Sequence, residues 1–400
     1  MIISSEFGHH LLGDEPVVFH CHHYNTTLQQ IILSADYLNI SDYLKRASAE
    51  ILYPIFLTMF YEAEQLEKLN LITNLCKNLG FGTLHFTEAT ESGGTAISTT
   101  SHYSLGWKSK FGLAEEPVDY FLCGVIQAGF SAIFNSEYTV DQVSCIAMGH
   151  NENSYQIKKI NDTVSLKDTS PKNAPHILAP EDTFTSSISS TEITDAVKGL
   201  ELTGNEDGII DAFGVYLTHM FGNYYNRIGF LFEKRLLEEG SFPEICEELM
   251  IEAGHNCGFY TMGNIMKSPE FDVLVASKTE DPRDWLHGIV SVINALGWGQ
   301  WRIVDLVEDK SFTLRVYNSY EAIGYRNLHG TSSKCQCHMV KGVSSALMNL
   351  LYLGDIQKKP ELTSDFYKNL FNRDDSFKAK EIKCFAMGNT SYCEFLIEKY

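Results

Sequence analysis

The chain has 400 residues, with 51 acidic against 31 basic side chains and a formal net charge of −20. That balance excludes a broad nucleic-acid surface, which needs cationic charge to displace phosphate counterions, and charge-driven attachment to an anionic membrane. Hydrophobic residues make up 44% of the chain, enough for a large core, and its length calls for two or three domains.

The opening Met1-Ile2-Ile3-Ser4-Ser5-Glu6 lacks the basic start and apolar run of a secretion signal. No stretch approaches 18 uncharged apolar residues, so no membrane span is expected. The ten cysteines follow no framework spacing and read as reduced thiols of a cytoplasmic protein, some of them available to a metal.

In chain order, the first concentration of reactive side chains is His20-Cys21-His22-His23. It follows Val17-Val18-Phe19 and precedes the Asn25-Thr26-Thr27 helix start. On a strand His20 and His22 share a face; on a helix His20 and His23 do. Either pair could hold a transition metal or a polar group of a ligand, and half-buried histidines at a helix entry are the plainer alternative. Residues 50–60 read as a core helix. Leu79-Gly80-Phe81-Gly82 marks a turn before a strand-like run over 83–88. His85, His102 and Trp107 are expected on or near strands, and a hairpin is expected over 145–157. Residues 161–207 read as a linker. They carry Pro171, Pro175 and Pro180, and the Ser/Thr run over 183–191 offers too little apolar surface to offset its ordering entropy. Beyond it, 243–266 reads as a core helix and 300–306 as a strand. A further helix is expected within 330–352, with Val340, Val343, Leu347 and Leu350 at helical spacing, and a second hairpin over 384–397. Trp301, Tyr320 and Tyr325 are expected on or near strands.

Self-comparison pairs these elements. His23-Tyr24-Asn25-Thr26 matches Tyr224-Tyr225-Asn226-Arg227, and Leu79-Gly80-Phe81-Gly82 matches Leu296-Gly297-Trp298-Gly299. Residues 101–107 match 318–325 with one residue of slip. Cys145-Ile146-Ala147-Met148-Gly149 matches Cys384-Phe385-Ala386-Met387-Gly388. Four blocks in one order imply a duplication, with copies at 1–160 and 208–400. Helices, then strands, then a helix give an α+β class: two tandem copies of a helix-plus-antiparallel-sheet domain. Pairing of the copies within the chain, or a homodimer, is expected. Other signals fail. The loop from Thr203 to Gly214 lacks the acidic first and twelfth ligands of a calcium loop, and the Gly-x-Gly pairs lack the third glycine of a dinucleotide site.

The terminal block from Glu381 through Cys384, Gly388 and Cys393 resembles the end of the 4-vinyl-reductase-like domain. That family includes bacteriochlorophyll 4-vinyl reductase accessory proteins and the sensor domains of phenol-responsive activators; a related fold occurs in vesicle-tethering TRAPP subunits. The resemblance implies an apolar pocket in each copy. It also implies a structural zinc on one Glu and three Cys, matching Glu321, Cys384 and Cys393. The remaining Cys falls on Ser345, and nearby Cys335 or Cys337 could substitute. The set carried forward is Glu321, Cys337, Cys384 and Cys393, four ligands as a closed zinc site requires. The first copy keeps Cys145, with Asn153 or Ser154 and Tyr103 or Ser104 at the other positions.

Three functions fit this reading. The first is a cytoplasmic binding protein for a small hydrophobic molecule, lined by His20, Cys21, His22, His23, His102, Trp107, Tyr320 and Tyr325, with zinc in the second copy. The second is a metal-dependent enzyme of tetrapyrrole or other hydrophobic-metabolite biosynthesis that uses His20–His23. The third is an interaction scaffold. Aromatic walls with a few polar tips suit the first, although ordinary packing uses the same residues.

Overall fold

The computed structural model describes residues 2–166 and 174–399; Pro171 lies outside them. Three antiparallel sheets organise the chain. In chain order the strands are β1 (Ile2–Ser4), β2 (His10–Leu12), β3 (Glu15–Cys21), β4 (His85–Thr90), β5 (Gly93–Ser98), β6 (Glu137–Ser144), β7 (Asn153–Asn161), β8 (Ile210–Ala212), β9 (Val215–Phe221), β10 (Gln300–Val307), β11 (Ser311–Tyr317), β12 (Phe377–Lys383) and β13 (Cys393–Lys399). One four-stranded sheet runs β4-β5-β7-β6 and its counterpart β10-β11-β13-β12. The third runs β1-β2-β3-β9-β8 and is shared by the two ends of the repeat. Period-two burial drives the outer sheets: Phe312, Leu314 and Val316 of β11 are buried while Thr313 and Arg315 are less so.

Helices cover the sheets in a repeated order, an α+β arrangement. His22–Ser34, Ser41–Met59, Gln65–Asn78, His102–Phe111 and Tyr120–Phe134 recur as Gly222–Glu238, Pro243–Cys257, Pro282–Ile293, Tyr320–His329 and His338–Tyr352. The expected helix within 330–352 is His338–Tyr352, and Val340, Val343, Leu347 and Leu350 are all buried. The one expected over 243–266 forms as Pro243–Cys257, continues through a π turn at Gly258–Met262, and ends in Gly263–Lys267.

The repeated Leu-Gly-aromatic-Gly motif is a close-approach device. Gly80 and Gly297 sit at φ +87° and +85°. A Cβ on Gly80 would stand 2.7 Å from the Leu217 carbonyl oxygen of β9, and one on Gly297 2.8 Å from that of Val17 in β3. The contacts cross reciprocally. His219 N donates to Leu79 O and Phe19 N donates to Leu296 O, both at 2.9 Å. Between these turns β3 and β9 pair from Val17↔Phe221 to Cys21↔Leu217. Each half therefore presses its glycine turn against the other half's central strand.

Three expectations change. The hairpins begin before the Cys-x-Ala-Met-Gly blocks: β6 ends at Ser144 and β12 at Lys383, and the blocks form tight 3-10 turns at Ile146–Met148 and Phe385–Met387. Gly149 and Gly388 close them at φ +94° and +78°, which glycine adopts without strain. His102, Trp107, Tyr320 and Tyr325 lie on the helices after β5 and β11, whereas His85 and Trp301 lie on strands. The polar segment at 183–191 packs against the body. Ser186 and Ser187 hydroxyls donate to the Asp284 carboxylate, and Ile188, Ile193 and Val197 are buried. Its hydroxyls find a buried acceptor, and Ile188 together with Ile193 and Val197 of the following helix Ser190–Lys198 reaches the core, which composition alone does not register.

The halves also share an ion pair. Arg227 Nη1 donates to Glu50 Oε2 at 2.8 Å with both side chains buried, and Arg46 Nε takes Glu50 Oε1 at 2.8 Å. Removing Arg227 takes the buried cation from Glu50 and leaves the half-exposed Arg46 to hold it, so the loss is smaller than for a stranded charge. Arg227→Ala should lower the unfolding free energy by about 1–2 kcal/mol, and Arg227→Met with Glu50→Leu should recover most of that, as read by urea denaturation.

Candidate metal centre and apolar cavity

Among the described residues, Cys337, Glu381, Cys384 and Cys393 form a buried group that could hold a metal, their ligand atoms all within 4.8 Å of one another. Four elements converge there. Cys337 is the N-cap of helix His338–Tyr352, Glu381 lies near the end of β12, Cys384 opens the 3-10 turn, and Cys393 starts β13. Cys337 Sγ lies 3.4 Å from Cys393 Sγ, which is 4.0 Å from Cys384 Sγ. Zinc–sulfur bonds of about 2.3 Å at tetrahedral angles span about 3.8 Å between sulfurs, so the spacing suits a closed four-ligand site. Glu381 Oε2 accepts from Cys337 N at 3.0 Å, and its buried Oε1 has no hydrogen-bond partner among the described residues. Burial pushes the Cys337 and Cys393 thiols and the Glu381 carboxyl upward, so a cation is what would favour their ionised forms.

Of the four residues expected to bind metal, Cys337, Cys384 and Cys393 come together and Glu321 does not join them. Its carboxylate instead accepts from Met339 N at 3.0 Å and Val340 N at 3.3 Å, satisfying orphan donors at the start of helix His338–Tyr352. Burial raises it to about 8. Glu381 takes the fourth corner; its position three residues before Cys384 is the signal that could have singled it out.

The first half builds the same corner without a thiol cluster. Asp119 is the N-cap of helix Tyr120–Phe134, as Cys337 is of its counterpart. Gln142 Oε1 accepts from Asp119 N at 2.9 Å, as Glu381 accepts from Cys337 N. Cys145 stands for Cys384, and Asn153, first residue of β7, for Cys393. Asp119 Oδ2 accepts from Asn153 Nδ2 and Tyr155 OH, both at 3.0 Å, and from the Ser101 hydroxyl. Burial raises Asp119 to about 6 against these bonds.

The His20–His23 cluster is built into the core. His20 stacks between Tyr24 and Trp298, at centroid distances of 4.3 and 4.6 Å, with Nε2 3.3 Å from Tyr320 OH and Nδ1 3.7 Å from Cys257 Sγ. Cys21 Sγ lies 2.6 Å from Thr261 Oγ1. His22 Nδ1 accepts from Tyr216 N at 3.2 Å, and His23 stacks on Tyr260 at 4.5 Å. Asn25 Nδ2 donates to His102 Nε2 at 2.8 Å.

A cavity of ≈1370 Å³ lies elsewhere, between the halves. Its walls come from β2 and β3, helices Ser41–Met59 and Gln65–Asn78, and the segment at 197–203, with Leu12, Phe19, Leu57, Leu71, Leu75 and Leu79 among the apolar contributors. None of His20, Cys21, His22, His23, His102, Trp107, Tyr320 or Tyr325 lines it. Trp107 borders a ≈450 Å³ groove, Tyr320 a ≈40 Å³ void, and Tyr325 a ≈460 Å³ groove. Residues from both halves and the intervening segment meet only in the fold, so no local pattern announced this cavity.

No protein-family model and no curated protein matches the chain. Among solved structures it is similar to the phenol-responsive sensory domain of the transcription activator PoxR, solved with phenol. The identity is 13% and the TM-score 0.32, covering 44% of this chain and 73% of that one.

Two outcomes follow from this chemistry. Cys393→Ser should abolish metal retention, measured by mass-spectrometric metal analysis of the purified protein, and lower the melting temperature; Cys145→Ser should leave metal content unchanged. The second concerns pH. Ten described histidines are held below their ordinary 6.5 by burial, His9, His10, His22 and His219 to about 4. Each protonates first in the unfolded chain, so its contribution is intact above 6.5 and is lost as pH falls toward 4. The carboxyls of Glu15, Asp119, Glu252, Glu321 and Glu381 are raised by burial and act oppositely, losing their contribution as pH rises through the folded value. The histidines outnumber them, so the melting temperature should fall between about pH 7 and about pH 5; a rise would contradict buried neutral imidazoles.

Proposed function

We propose that this chain is a cytoplasmic binding protein for a small hydrophobic molecule, held in the cavity between its two halves, with a structural zinc on Cys337, Glu381, Cys384 and Cys393. One observation carries the reading: a ≈1370 Å³ cavity, walled by aliphatic and aromatic side chains interspersed with polar ones, fed by both halves and the segment between them. Apolar walls with a few placed polar groups are what ligand pockets use, and this volume exceeds that of an ordinary drug-sized site. The metal's part is mechanical: it would tie the start of a buried helix to the ends of two strands, the junction that Asp119, Gln142 and Asn153 secure in the first half. The chain's own residues supply the rest. Aliphatic side chains supply the apolar contact surface, and the crossing of β3 with β9 fixes the walls. The His20–His23 side chains, stacked and hydrogen-bonded in the core, support that wall in this reading.

Native mass spectrometry of the protein as expressed tests it. A bound apolar metabolite, one metal per chain and the subunit number are read together. Leu75→Trp, which fills the cavity from a half-buried wall position, should reduce uptake of a hydrophobic fluorescent dye by about tenfold while leaving the melting temperature nearly unchanged. Undiminished uptake would place the ligand elsewhere.

A further inference from the structure

The groove beside Trp107 and the groove beside Tyr325 are counterparts in the repeat. Trp107 is the sixth residue of helix His102–Phe111, and Tyr325 the sixth of helix Tyr320–His329. Each groove lies between that helix, the end of its half's first helix and the loop that follows. The volumes, ≈450 and ≈460 Å³, are alike; the charges are not. In the second half Lys334 pairs with Glu233, and Lys234 Nζ lies 3.9 Å from Glu238 Oε1. Lys334 stands three residues before the helix cap Cys337; the residue three before the matching cap Asp119 is Glu116. The first-half groove carries Asp36, Glu115 and Glu116, all exposed, and no basic side chain lines it. These three carboxylates make no ion pair or side-chain hydrogen bond among the described residues.

Between the acids the groove is apolar. Leu33, Trp107 and Tyr120 are half-buried, while Phe111 is 40% and Leu113 68% exposed. Of the neutral polar groups, Gln30 Nε2 donates to Ser34 Oγ at 3.0 Å and Ser34 Oγ to Gln30 O at 2.8 Å, so this pair is satisfied within its own helix. Asn39 and Ser41 also line the groove and, being uncharged, do not discriminate by charge. An exposed apolar patch rimmed by acids favours an occupant that is apolar on one side and cationic beside it. Ligand pockets bury most of a small molecule, whereas Phe111 and Leu113 stand out into solvent, as they do on a surface that meets another protein. Every wall is helix or loop, so no strand edge is offered to an extended peptide, and docking must run through side chains.

We infer that the first-half groove docks a basic amphipathic helix of a partner protein, with its apolar face on Trp107, Phe111 and Leu113 and its lysines or arginines against Asp36, Glu115 and Glu116. The groove shares no lining residue with the cavity between the halves, so this interaction stands independently of the ligand reading above. The second-half groove, whose lysines already neutralise its acids, does not take the same partner.

Trp107 reports occupancy, because Trp285, Trp298 and Trp301 are all buried. A tryptophan-free helical peptide of leucine and lysine, added to the full-length protein, should shift Trp107 emission to shorter wavelength. It should bind about tenfold tighter than its leucine–glutamate counterpart, with the preference shrinking as salt rises. Glu115→Lys with Glu116→Lys should weaken the lysine peptide about tenfold, and Leu113→Ser about fivefold, with the melting temperature unchanged because all three positions are exposed. Asp305→Lys with Glu308→Lys, two exposed acids of the second half, should leave binding as it was. Equal binding of the two peptides, or a remote reversal as damaging as the local one, overturns the proposal. So does dodecylamine shifting Trp107 as tightly as the peptide, which would make the groove a small-molecule site. A chain that sediments as a dimer broken by Leu113→Ser overturns it too, since a second copy would then be the occupant.

Discussion

The antiparallel ladder between β3 and β9 is the constraint on which the rest depends. It joins strands about 200 positions apart in the chain, and it forms only because Gly80 and Gly297 let a turn from each half lie flat against the other half's strand. That crossing places helix Gly222–Glu238 beside helix Ser41–Met59, where Arg227 meets Glu50. It also sets the floor of the cavity, since β3 contributes Phe19 and β9 contributes His219 to one wall. The loop-closure entropy of so distant a contact is large in total but grows slowly with separation, and a continuous buried ladder can offset it.

The two halves solve one geometric problem with two chemistries. Each must hold a helix N-terminus against the start of its last strand. The second half uses three thiols and a carboxyl, suited to a metal; the first uses an aspartate hub with amide and hydroxyl donors. Both keep the acceptor that caps the helix entry, Glu381 or Gln142. The corner is therefore common to both halves, and a thiol cluster able to take a metal is one means of building it.

Much of this repeat was legible because its signatures are backbone requirements. Leu-Gly-aromatic-Gly and Cys-x-Ala-Met-Gly each carry glycines at positive φ, where a side chain would strain or clash, so both copies show the same letters. The strands and the His338–Tyr352 helix were legible from burial periodicity. The site was less so. Glu321 and Glu381 are both buried acids near the same helix, and only the fold shows that one caps its amides while the other faces the thiols. The Ser/Thr stretch at 183–191 reads as solvated until Asp284 is seen to receive its hydroxyls. Of the four adjacent metal-capable side chains at 20–23, the three histidines lie among aromatic rings and Cys21 against Thr261, a context that adjacency in sequence does not encode.

The unequal corners leave the molecule with a chemically lopsided vulnerability. Three sulfurs packed side by side at Cys337, Cys384 and Cys393 are a soft target for peroxides and for thiophilic ions such as mercury or cadmium, whereas the opposite corner offers a single cysteine amid oxygen and amide groups. Damage to the rear hairpin would not stay there. Its half supplies β9 to the shared sheet, so harm at one corner reaches the half that helps to floor a cavity the corner never touches.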